Sequence, residues 1–485
     1  MNKFKAYIFS IFQIVILILS LLTDWYMELI SALVISILVS MLDKLGKGIV
    51  LREMIAFHTC FVCLVMPKIG YDFYPYANYM SRRWVRFMPV QEEIYMQFAL
   101  PAVALFSVIL CWPILKKKFS DEGQYMKGII ARVKEKLLAP SMHKRGVYLL
   151  VIGVFCFFVA DYLPVAVRFI FLLFYFSAFA AILYVFFSPS FKYKVPILIL
   201  FILFIVAQAL NSGMFTIVAY MGITIFSFLF IGKQVSFWKK LVFFVAGTFA
   251  LILIQSIKPD FRRTTWKSEF EGNKGEVFID LLTEKLTSGE LFTQDAFFWI
   301  YYRTNQGYNV ALVMRRIPYL QPHDGGKTLA LNAASSLVPR FLWPDKPEAG
   351  GKFNMKYYAG VNLRGWSTNI GPLGEAYGSF GVTGGILFMG LLGFFIRWAY
   401  MRVFSIARKL PVLVCWLPVL FYQVTYSAET DTLQIMNSLI KSAFFIWLLY
   451  KFMPGLLGAV KKRSGPRPAK DPSYPGYKAK QPLAG

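Results

Sequence analysis

Between positions 258 and 373 the chain carries Arg262, Arg263, Arg303, Arg315, Arg316, Arg340 and Arg364, within a set of fifteen Lys and Arg against eleven Asp and Glu. Arginine stays charged at any accessible pH, and its planar fork grips phosphate oxygens in pairs. A lipid-linked pyrophosphate at a membrane surface is a ligand such a set suits. The plainer alternative, in which each arginine is solvated or paired with an acid, describes single residues better than the whole set. Further charges lie in or beside apolar runs: Asp161, Arg168, Glu375, Glu429, Asp431 and Lys441. Charge in hydrocarbon is costly and marks a working site by default, although Asp161 and Arg168 also suit a structural ion pair. None forms the relay across the midplane expected of a proton-coupled transporter. Cys60, Cys63, Cys111, Cys156 and Cys415 all sit in apolar runs, so the CxxC spacing of Cys60 and Cys63 reads as packing, not as a disulfide or thiolate metal site. No acidic pair has metal-ligand spacing, and no cofactor is implied.

The elements that must position these residues are membrane helices. The chain has 485 residues, 57% apolar and 16% charged, with a mean hydropathy of +0.54. Soluble domains run at about 45–50% and about 25%, so a disordered chain, a disulfide-rich secreted scaffold and an ordinary cytosolic enzyme are excluded. A hydrocarbon core of about 30 Å takes about 20 helical residues. Runs of roughly that length fall at 6–22, 26–42, 51–67, 94–115, 147–162, 164–188, 196–211, 213–232, 240–257, 374–397, 411–426 and 433–453, predicting twelve spans. Backbone in hydrocarbon must satisfy its own hydrogen bonds, which requires helices here. The fold class expected is therefore an all-α polytopic membrane protein.

The formal charge of +26 does not indicate a nucleic-acid partner, because the cations gather between spans. With the N-terminus in the cytoplasm, the inside segments hold Lys44, Lys47, Arg52, Lys134, Lys136, Lys144, Arg145, Lys192, Lys194, Lys233, Arg402 and Arg408, among others. The short outside loops hold none, apart from 68–93 with Arg82, Arg83 and Arg86. Residues 6–22 read as a retained span, since no cleavage site follows them. The organisation expected is spans one to nine over 1–257, a large extracytoplasmic loop over 258–373, spans ten to twelve over 374–453, and a basic cytoplasmic tail over 454–485. From 461 onward that tail is too poor in large aliphatics to bury a core.

Residues 334–347 read ASSLVPRFLWPDKP, residues 367–385 read STNIGPLGEAYGSFGVTGG, and PYLQPHDGGKTL precedes both at 318–329. Together these resemble the Wzy-type O-antigen polymerases, the oligosaccharide repeat-unit polymerases, whose outer loop carries a PR-x-x-WPDKP stretch before a GEAY-x-x-FG-x-x-GG span start. The detailed match covers about seventy residues; the remainder agrees in topology. Pro339 and Pro344 stiffen the support from which Arg340 and Lys346 project. Gly374, Gly378, Gly381, Gly384 and Gly385 recur at spacings that let a helix or lipid chain approach closely.

The resemblance implies a membrane-integral, C-type glycosyltransferase in the bacterial inner membrane, with both termini cytoplasmic. It would join undecaprenyl-pyrophosphate-linked glycans outside the membrane, with a chain-length regulator as an implied protein partner. Such chemistry needs a base for the acceptor hydroxyl and positive charge for the departing pyrophosphate. Glu375 is the candidate base, since partial desolvation at the start of a span raises a carboxyl pKa; His323 is the first alternative, and Asp161 and Glu429 are the others. Arg340, Lys346, Arg262 and Arg263 are candidates for the pyrophosphate, followed by Arg303, Arg364 and Arg168. An O-antigen ligase shares the large outer loop and is the nearest alternative activity. A lipid-linked glycan flippase is the alternative of a different class, disfavoured by the long loop and by mid-span regions mostly free of charge.

Overall fold

Apolar runs that cannot hydrogen-bond to lipid must close their backbone bonds locally, and helix is what they form. A computed structural model of the chain describes residues 3–113, 122–212, 227–228, 230–266, 270–289, 293–338, 342–343, 345–347, 350–364 and 367–459. In chain order the longer helices are α1 Lys3–Ser20, α2 Tyr26–Lys44, α3 Leu51–Phe73, α4 Glu92–Cys111, α5 Glu122–Lys136, α6 Pro140–Ala160, α7 Val165–Phe187, α8 Lys194–Ser212 and α9 Phe237–Thr265. Then come α10 Lys274–Thr287, α11 Gln294–Thr304, α12 Gln306–Arg316, α13 Lys327–Leu337, α14 Gly351–Ala359, α15 Gly371–Ala407 and α16 Thr432–Phe452. Among the described residues no strand forms, and nine helices are long and apolar enough to cross a membrane. Side chains such as Leu200 and Trp238 are 65% and 72% exposed on α8 and α9. Apolar surface of that kind is what a lipid-facing helix presents.

The bundle is organised around α4, whose Ala99, Leu100, Ala102, Val103 and Ala104 are fully buried. α15 lies against it, because a Cβ at Gly385 would come 2.7 Å from Phe98 and one at Gly393 2.8 Å from the Phe106 carbonyl. Small residues at these points allow the backbones to meet. Within α3 the residues Phe61–Val65 form a π turn, a feature frequent at functional sites. The Cys63 carbonyl there accepts from the buried Tyr95 hydroxyl at 2.7 Å. Arg52, expected at the cytoplasmic start of the span 51–67, is buried and donates to the carbonyls of Leu110 and Trp112 at 3.2 and 3.0 Å, covering the end of α4.

Several boundaries move. α9 continues past 257 to Thr265, so the first residues assigned to the loop extend the helix. Residues 411–426 are not one regular helix: Pro411–Trp416 is a 3-10 turn, followed by single turns at Leu417–Leu420 and Tyr422–Thr425. Pro411 and Pro418 both stand at turn starts, where proline lacks only an amide that would be unpaired anyway. Pro454–Leu457, assigned to the tail, is an ordered 3-10 turn. Its Gly455 and Leu456 carbonyls accept from Arg145 and Tyr184 at 2.7 and 2.9 Å. Most of the span expected at 213–232, and the tail beyond 459, lie outside the described residues.

Candidate functional site

The GEAY segment and the HDGG segment meet at a break in α15. Gly381 adopts φ 69° and ψ −157° inside the helix, a conformation costly for any residue with a Cβ. A broken helix leaves its last carbonyls without amides four residues on. Those of Tyr377, Gly378 and Ser379 are met by His323 Nδ1 at 3.0 Å, the Asp324 amide at 3.4 Å and the Gly325 amide at 2.9 Å. A carbonyl only accepts, so Nδ1 is the protonated nitrogen of His323. Asp324 accepts from the Gly326 amide at 2.9 Å and from the Tyr358 hydroxyl at 2.9 Å, which also lies 3.2 Å from Ser379 Oγ. Burial alone would raise the Asp324 carboxyl, but hydrogen bonds from Thr328, Tyr358 and Gly326 outweigh it and hold the group below the usual carboxylate range. Burial pushes the Tyr358 hydroxyl up. His323 is therefore a clamp on the broken helix, with its ring at 5.6 Å from that of Tyr377.

Glu375 lies in the first half of α15 and is fully buried. Its Oε2 accepts from the Thr432 amide at 2.8 Å and the Thr432 hydroxyl at 2.6 Å; its Oε1 accepts from Asn354 at 3.3 Å. Asp431, 1% exposed, accepts from the Gln434 amide at 2.6 Å, from Asn369 Nδ2 at 2.8 Å and from the Gly350 amide at 2.9 Å. The Asn369 carbonyl in turn accepts from Gln306 and Asn309 at 2.7 and 3.0 Å. The two carboxyl groups gather the amides at the start of α16. Glu375 is enclosed by α14, α15 and α16 and joins them, a burial more complete than the partial desolvation expected at the start of the span.

Cations converge elsewhere, at the end of α9. Lys258 and Arg262 are four residues apart on one helix face, and Arg303 from α11 lies within electrostatic reach of both. Lys258 is 9% exposed, and its amine has no hydrogen-bond or ion-pair partner among the described residues. Arg262 stacks on Trp266, 4.4 Å from its ring centre. α11 is seated by the Tyr301 hydroxyl donating to the Arg86 carbonyl at 2.9 Å and by the Tyr301 ring stacked 4.6 Å from Tyr74. The start of α12 is pressed so close that a Cβ at Gly307 would stand 2.2 Å from Pro67. Beside the cations His58 Nε2 of α3 is 2.9 Å from Glu429 Oε1, on the turn before α16, and Lys258 senses the Glu429 charge.

The structure therefore brings Arg262 and Arg303 within electrostatic reach of each other, while the other described candidates are engaged elsewhere or exposed. Arg263 pairs with Asp260, and Arg168 with Asp161. Lys346 is buried and donates to the Ser335 and Val338 carbonyls at 3.0 and 2.9 Å, closing the end of α13. Arg364 is exposed, and Arg340 lies outside the described residues. Sequence reasoning missed Lys258 as a partner of Arg262, although their spacing signals one helix face, and missed His58 within its apolar run.

Residues 123–406 match a family model described as a domain of unknown function (DUF8712). The match covers more than half of the chain, which belongs to that family. It includes the cation cluster, the clamp and Glu375, but not His58 or Glu429. No curated protein and no solved structure matches the chain.

Proposed function

We propose that the protein is a membrane-integral glycosyltransferase that polymerises undecaprenyl-pyrophosphate-linked oligosaccharide units into a surface polysaccharide. In this reading twelve spans cross the bacterial inner membrane, both termini are cytoplasmic, and residues 258–373 work on the outer face. The observation that carries it is the buried Lys258 amine, which has no partner among the described residues and lies within electrostatic reach of Arg262 and Arg303. An uncompensated buried cation costs several kcal/mol, and a diphosphate would supply the missing charge. Arginine forks and a lysine point charge are the side chains suited to that group. The resemblance of the HDGG, PDKP and GEAY stretches to repeat-unit polymerases supports the same activity.

The test uses full-length protein in lipid nanodiscs with a lipid-diphosphate-linked repeat unit, reading products as a ladder on a gel. Wild type should extend chains, and Lys258→Ala and Arg303→Ala should each slow extension at least tenfold. A wild-type protein that transfers only finished chains to a lipid-A core acceptor, or variants that extend normally, would overturn the proposal.

A further inference from the structure

We infer that Glu429 is the base that receives the acceptor hydroxyl's proton, and that His58 positions it. This rests on the transferase reading above. The structure sets a carboxylate beside a cation cluster. Lys258 lies within electrostatic reach of Arg262, Arg303 and Glu429, and the Glu429 carboxylate holds His58 Nε2 at 2.9 Å. Unlike the enclosed Glu375, the Glu429 side chain is 38% exposed, and that of His58 is 20% exposed. A base must reach the proton it takes, and Glu429 is the more open of the two carboxyl groups.

The supporting frame is stiff. Glu429 ends the 3-10 turn Ser427–Glu429, whose Ala428 carbonyl lies where a Cβ at Gly371 would come within 2.3 Å, so the turn is pressed onto the start of α15. His58 precedes the π turn of α3 by three residues. Next to Glu429, Thr430 is 2% exposed, and its hydroxyl makes no hydrogen bond among the described residues. A buried polar atom of this kind signals a missing polar partner, and a sugar hydroxyl is one that fits. Among the described residues, titratable groups that feel Glu429 include His58 and Cys63 from α3, Lys258 from α9 and Tyr426 beside its own turn.

In the step proposed, the acceptor hydroxyl oxygen bonds to the donor's anomeric carbon. The bond from that carbon to the diphosphate oxygen breaks, and its electron pair leaves with the diphosphate held by the cations. The hydroxyl proton passes to the Glu429 carboxylate. His58 donates to that carboxylate and fixes its direction; a bond donated to the charged form also favours it.

The same nanodisc assay decides the matter. Glu429→Gln should lose at least about 100-fold in extension rate, within the range general bases contribute. Glu429→Ala should lose as much and recover in part with added formate. His58→Ala should retain more activity than either, with the acid limb of its rate–pH profile moved to higher pH. Wild type extending chains while Glu429→Gln stays within threefold of it would overturn the base, as would a loss in Glu429→Ala that formate leaves untouched. An unmoved acid limb in His58→Ala would overturn the positioning role. A wild type that extends nothing would instead overturn the transferase reading, and this assignment with it.

Discussion

A buried carboxylate and a buried amine in this chain answer to different partners, and substitution should separate them. Glu375 is met by Thr432 and Asn354. Glu375→Gln keeps an oxygen for Thr432 but sets an NH2 against the Asn354 Nδ2 donor, which should cost about 1–3 kcal/mol; thermal unfolding in detergent would show a lowered midpoint. Lys258 has no described partner to lose. Lys258→Met should raise the unfolding midpoint by the equivalent of about 1 kcal/mol, as apolar replacements of buried charge often do, while weakening polymer formation. A destabilised Lys258→Met would mean the amine is structurally satisfied. Asp324 gives a pH-dependent case. Its folded carboxyl titrates below the ordinary value, so its stabilising contribution is present above that ordinary value, near pH 4, and disappears as pH falls through the lower folded value. The stability gap between wild type and Asp324→Asn should therefore be open at neutral pH and close in acid. A gap that widens in acid would refute the hydrogen-bond account.

At the level of elements, the break in α15 explains why two stretches separated by about fifty residues of sequence belong together. The glycines of the GEAY stretch were legible as close-approach positions, and Gly378 and Gly385 behave so, against Tyr358 and Phe98. Gly381 was not legible as a break, because a glycine at helical spacing looks the same whether it packs or bends. Only its positive φ and the three carbonyls handed to residues 323–325 distinguish the two. Gly381→Ala should cost about 1–3 kcal/mol from a backbone conformation that essentially only glycine adopts. Its Cβ would also stand 3.3 Å from His323 Nε2. The unfolding midpoint should fall, and residues 323–326 should become faster to exchange their amides. Unchanged exchange there would show that the clamp does not depend on the break.

For the molecule as a whole, composition and run length were enough to show an all-helical architecture with membrane-length helices, since both follow from local chemistry. The site was legible only in part. Arg262 and Arg303 were named for their type, but their convergence depends on α11 docking through Tyr301 onto α3, a tertiary contact. Glu375 was named for its charge, but its enclosure depends on Asn354 and Asp431, supplied by α14 and by the turn before α16. Orientation is a property of the same scale, and labelling can test it. The native cysteines are at most 8% exposed, so they give little background. Leu320, between α12 and α13, is 77% exposed, and Leu138, between α5 and α6, is 50% exposed. The proposed orientation, which puts the cation-rich connections in the cytoplasm, predicts that a membrane-impermeant maleimide on intact cells labels Leu320→Cys and reaches Leu138→Cys only after permeabilisation. The reverse pattern would put the Lys258–Arg262–Arg303 cluster on the cytoplasmic face, away from any lipid-linked glycan presented outside, and the polymerase reading would fall with it.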